Sequence, residues 1–137
     1  SAIQSLEASP INSAGFSQMV KDALSQFWGG PKLSRSPLLG MHIVRDRLAE
    51  HDGVPVKALR AVFQEAIERL KPAGERSMTA SEWTVYNILD LRFIQDMRIR
   101  DAARRLALSE SDFYRKQRVA IEQVAATLAA MERASEG

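Results

Sequence analysis

An all-α fold follows from three observations on this 137-residue sequence. Apolar residues recur at i, i+3, i+4 and i+7 in segment after segment, the period of a helix with one buried face. No segment sustains the alternation of a half-buried strand. The periodic segments are bounded by hydroxyl caps, prolines at first helical positions and glycines at exits. Together these predict about six helices in a bundle, the last of them long.

Residues 1–15, rich in Ser, Ala, Asn and Gly around Pro10, are expected to be a flexible lead-in. The first helix is predicted from Phe16 to Trp28, with Phe16, Met19, Val20, Ala23, Leu24, Phe27 and Trp28 on one face. Gly29-Gly30-Pro31 stops it, because glycine suits a left-handed cap and proline cannot continue a helix. Ser36-Pro37 opens a second helix to about Glu50, with Gly53 as its exit. Pro55 begins a third, with Val56, Leu59, Phe63, Ala66 and Leu70 on its stripe, ending before Pro72. After a loop over 72–78, Thr79-Ala80-Ser81-Glu82 reads as a capping box. It starts a fourth helix to about Gln95, with Trp83, Tyr86, Leu89, Phe93 and Ile94 expected to face inward. The fifth spans about Arg98 to Leu106. The sixth runs from Glu110 to about Arg133, capped by Ser109 with Asp112 three residues on. Its stripe is Phe113, Gln117, Ala120 or Ile121, Val124, Leu128 and Met131. Residues 16–78 are therefore expected to form a bracing or regulatory region, and 79–137 a unit ending in the long helix.

At 45% hydrophobic and 26% charged residues the composition is that of an ordinary globular chain. There is no cysteine, which excludes disulfides, thiolate metal sites and thiol nucleophiles. No apolar run approaches the ~20 residues that cross a bilayer, and no signal peptide is visible, so a cytoplasmic location away from membranes is expected. The first residue is Ser1 rather than Met, so either a domain excised from a larger parent protein or a processed chain is expected. The net charge of +2 is unevenly spread. Residues 1–91 carry ten basic and ten acidic side chains, and 119–137 carry one basic and three acidic. Residues 92–118 carry eight basic against four acidic, so the positive charge is local, as a polyanion would require.

That basic stretch spells a short helix, a tight turn at Ala107 and Leu108, and a second helix capped by Ser109. Ala103 is small where the second helix must approach, Leu106 and Leu108 bracket the turn, and Phe113 is spaced to anchor the second helix. These residues resemble the DNA-binding helix-turn-helix of bacterial sigma factor region 4 and LuxR-type regulators, over about residues 83–122. The matching positions are Ala103, Leu106, Leu108, Ser109, Phe113, Arg115 and Arg118; Ala107 stands where that family usually has glycine. The resemblance implies a bacterial transcription regulator that binds double-stranded DNA without catalysis. Ser111, Tyr114, Arg115 and Arg118 are the expected base- or groove-facing residues, and Arg98, Arg100, Arg104 and Lys116 the phosphate contacts.

Competing readings are weaker in chemistry. Asp101 with Arg105 and Glu65 with Arg69 fall at i,i+4, the spacing of ion pairs on a solvated helix face. His42 and His51, nine residues apart and outside any metal-ligand pattern, read as exposed or capping residues. Gly29-Gly30-Pro31-Lys32-Leu33-Ser34 lacks the order of a phosphate loop and reads as a helix stop and linker. No enzyme chemistry and no cofactor are expected. Trp28 either pins the first helix or sits at a contact surface. The principal alternative function is a non-catalytic interaction or dimerisation module. It would dock on RNA polymerase or another part of a parent protein, or form a homodimer through the long last helix. A small-molecule sensor site between the N- and C-terminal helices is a third reading.

Overall fold

The computed structural model describes residues 9–136, and every regular element among them is helical. The helices are α1 (Phe16–Ser25), α2 (Pro31–Ser34), α3 (His42–Arg45), α4 (Pro55–Arg69), α5 (Thr84–Leu89), α6 (Ile99–Arg105) and α7 (Glu110–Glu136). At 27 residues, α7 is about 40 Å long, and α1, α3, α4, α5 and α6 all pack against it. Its stripe of Phe113, Gln117, Ala120, Ile121, Val124, Leu128 and Met131 is buried, so the long helix turns its apolar face inward on its own chain. One contiguous core results, drawing on residues from Phe16 to Met131. Phe27, Phe63 and Phe113 are among its largest fully buried side chains. Each contributes roughly 1.5–3 kcal/mol relative to exposure. Of the expected lead-in, residues 1–8 lie outside the described residues. From Ser9 the chain forms a short 3₁₀ turn at Pro10–Asn12 and lays Ile11 against the core.

Several boundaries differ from the sequence expectation. α1 ends at Ser25 rather than Trp28, and the chain passes through Gly29 and Gly30 at φ of 148° and 142°. A Cβ at Gly30 would run into the Gln26 side chain, whose Oε1 accepts from the Lys32 amide. The expected linker at Pro31–Ser34 is itself a helical turn, α2, with Leu33 fully buried. The expected continuous helix from Ser36 is instead a 3₁₀ turn (Pro37–Gly40), α3 and a second 3₁₀ turn (Ala49–His51). Ser36 does cap it, accepting from the Leu38 amide at 3.1 Å. α4 begins at Pro55 as expected, although Ala58, Val62 and Ile67 are buried where Val56 and Leu70 are only partly so.

The capping box expected at Thr79 does not form. Ser77 takes over, its Oγ accepting from the amides of Thr79 (3.3 Å) and Ala80 (3.0 Å). The reason lies in a polar network beneath the loop. Fully buried Asn87 donates to the Ser77 carbonyl (2.8 Å) and accepts from Arg76 Nε (2.9 Å), while Arg76 Nη2 pairs with Asp90 (2.9 Å). The helical stretch from Ser81 then changes pitch twice. It passes from 3₁₀ to α5 to a π turn over Asp90–Ile94, where the Gln95 amide donates to the Asp90 carbonyl at 2.9 Å. Beside this network the Tyr86 hydroxyl is pushed above its ordinary pKa, first by burial and then by the carboxylates of Glu68 and Asp90. It stays protonated and donates to Glu68 Oε1. Glu65 pairs with Arg47 at 2.5 Å rather than with Arg69, because tertiary packing brings Arg47 across from the preceding segment.

The farthest-reaching polar contact belongs to Glu132, which is 1% exposed. Its Oε2 and Oε1 accept from the backbone amides of His42 and Ile43, each at 3.0 Å. These are the first two amides of α3, which lack partners within their own helix. A carboxylate there is stabilised by two charge-assisted hydrogen bonds and caps the helix from ninety residues away. Glu132→Ala leaves the buried Ile43 amide and the part-buried His42 amide without partners and is expected to lower stability by about 2–4 kcal/mol in urea denaturation. Glu132→Gln, with a single acceptor oxygen, should lose less.

Candidate nucleic-acid interface

The candidate interface is built from α6, a short turn and the first turns of α7. Ala102 and Ala103 of α6 are buried, which lets α7 approach closely, and Leu106 closes the core beneath the turn. The turn itself is a paired C-cap. The Leu108 amide donates to the Ala103 carbonyl at 2.9 Å and the Ala107 amide to the Arg104 carbonyl at 3.1 Å. This geometry requires a left-handed residue at its centre, and Ala107 adopts it at φ 56°. The position where the sequence departs from the glycine pattern is therefore the position that needs glycine's freedom. Ser109 then caps α7, its Oγ accepting from the Asp112 amide at 3.1 Å, and Phe113 is completely buried behind it. Only this serine half of the expected capping pair is made. The Asp112 carboxylate turns instead to the Arg115 guanidinium.

Ser111, Tyr114, Arg115 and Arg118 are all exposed. With about 100° of rotation per residue, they fall within an arc of about 100° on α7 that borders its buried stripe on the side of Ile121. Lys116 is also exposed but lies roughly 160° around the helix from Arg118. On α6 and its cap, Arg98, Arg100 and Arg104 are exposed, the last two one helical turn apart. Among the described residues, Arg98, Arg100, Arg104, Lys116 and Arg118 make no side-chain hydrogen bond or ion pair. Arg105 joins them, because the ion pair expected with Asp101 is not formed. Arg115 is the exception, held by Asp112; an exposed pair of this kind contributes up to about 1 kcal/mol and is readily exchanged for another anion. Arg92, basic in sequence, is turned to structural use and donates to the Met97 carbonyl at 3.1 Å.

One feature of this surface lies beyond sequence reasoning. Lys21, Ser17 and Gln18 of α1 stand beside Tyr114 and Arg118, and together they border a cavity of about 270 Å³. Trp28, expected on the apolar face of the first helix, lies beyond the end of α1 and is 58% exposed; its Nε1 donates to the Ile94 carbonyl at 2.7 Å and its ring meets Phe27 edge-on. His42 is exposed, with Nδ1 3.3 Å from Arg45, and His51 is half-buried, with no cluster of potential metal ligands among the described residues. No protein-family model, curated protein or solved structure matches the chain.

Ala107→Gly is expected to raise stability by about 0.5–1 kcal/mol in thermal or chemical denaturation, by relieving the left-handed alanine. Ala107→Val should lower it by more than that, since a branched side chain is worse in this conformation.

Proposed function

We propose that α6, its turn and α7 form a DNA-binding helix-turn-helix, and that the chain is a non-catalytic transcription regulator or the regulatory domain of one. The observation that carries this reading is the set of six exposed cations on one helix–turn–helix unit that have no partner among the described residues: Arg98, Arg100, Arg104, Arg105, Lys116 and Arg118. On an ordinary solvated helix face, basic and acidic side chains alternate and neutralise one another. Here they are left for an external polyanion.

In this reading α7 enters the major groove by its first turns. Arg118 and, after release from Asp112, Arg115 address guanine edges, with Ser111 and Tyr114 beside them. The α6 arginines and Lys116 hold phosphates on either side, which suits their position away from the reading face. The apolar stripe of α7 is occupied within the chain. A homodimer would therefore use the opposite face of that helix, where Val119 and the exposed alanines at 126 and 130 lie.

Fluorescence anisotropy with a mixed-sequence duplex tests the proposal. With six or more phosphate contacts, affinity should fall on the order of 10³-fold between about 50 and 200 mM salt. Arg118→Ala should weaken binding roughly 10- to 100-fold without changing the melting temperature. Lys116→Ala should weaken binding uniformly across sequences and reduce the salt slope by about one. Binding that is absent, or that is insensitive to both salt and these substitutions, overturns it.

A further inference from the structure

The cavity of about 270 Å³ between α1 and α7 has a chemistry of its own. Its walls include Lys21 from α1 and Tyr114, Gln117, Arg118, Ile121 and Glu122 from α7. Gln117 occupies the inward stripe of the helix, in line with Phe113 and Ile121, and is only 7% exposed. Its side-chain oxygen is buried and has no hydrogen-bond partner. A leucine would fill that position without the penalty of an unsatisfied amide, so the glutamine is not explained by packing. The Tyr114 ring and Ile121 supply apolar wall on either side of it. Lys21 and Arg118, each exposed and unpaired, supply two positive charges against the single carboxylate of Glu122.

We infer that this cavity is a binding site for a small aromatic carboxylate that carries a hydrogen-bond donor. The carboxylate lies against Lys21 and Arg118, the ring against Tyr114 and Ile121, and the donor satisfies the Gln117 oxygen. The cavity volume suits a ligand on the order of ten non-hydrogen atoms, and Glu122 disfavours a second negative charge. Tyr114 and Arg118 belong to both surfaces, so occupancy of the cavity would withdraw them from DNA. That regulatory consequence, unlike the site itself, rests on the DNA-binding reading.

Calorimetric titration of the protein alone with benzoate and with each of the three hydroxybenzoate isomers tests the site. At least one isomer should bind saturably and about tenfold more tightly than benzoate, the difference expected for a donor meeting a buried acceptor. Gln117→Leu should abolish that preference, so that benzoate and the isomers bind alike, and should raise the melting temperature by a few degrees rather than lower it. Lys21→Ala should weaken all four ligands. Failure of all four to saturate, or an isomer preference that survives Gln117→Leu, overturns the site. Because no DNA is present, either outcome is independent of whether the chain binds DNA. Displacement of a bound duplex by the preferred isomer is then the separate test of regulation.

Discussion

Two amides at the start of α3, on His42 and Ile43, find their partners in the Glu132 carboxylate rather than in their own helix. Much of the molecule depends on that contact. A helix of four residues cannot hold itself together in water, because its nucleation is unfavourable and most of its backbone groups lack internal partners. Glu132 supplies the missing acceptors, and the buried side chains around it exclude water, so breaking the contact would leave unsatisfied polar groups on both sides. The contact also fastens the last turns of α7 to α3. α1, α4, α5 and α6 pack on the same helix, and its opposite face, with Val119 and the alanines at 126 and 130, stays exposed.

The exposed basic residues lie at the other end, Arg98, Arg100, Arg104 and Arg105 on α6 and its cap and Arg115, Lys116 and Arg118 on the first turns of α7. The division of labour along α7 is therefore physical: one end is an anchor and the other a display. α6 and the turn at Ala107 fix the angle at which the display begins, through two backbone hydrogen bonds and one left-handed residue. α1 contributes from the other side by bringing Lys21 to the edge of the same face and enclosing the cavity that holds Gln117. Any ligand or duplex that meets Tyr114 and Arg118 therefore also meets α1.

Elements whose apolar period is long and whose caps are local were legible without the structure. α4 begins at Pro55, α7 is capped by Ser109, and nearly every residue of the expected α7 stripe is buried. The exposure of Ser111, Tyr114, Arg115 and Arg118 follows from the same period. Elements stabilised from a distance were not legible. The segment after Ser36 carries a continuous helical pattern, yet it is broken into turns, and the amides of His42 and Ile43 find their partner in Glu132. Thr79 carries the spacing of a capping box, yet Ser77 caps instead because Asn87 holds the Ser77 carbonyl. Glu65 carries the spacing for Arg69, yet Arg47 is nearer.

By itself, then, the chain's order of residues determined the all-helical class, the long last helix and the concentration of positive charge around it. These depend on periodicity and on neighbours within four residues, which are local properties. Only the tertiary structure decided which helices stay whole, which cations remain unpaired and which side chains enclose the cavity beside α1. Those outcomes depend on contacts between residues as far apart as His42 and Glu132, and local spacing carries no record of which distant group will be within hydrogen-bonding reach.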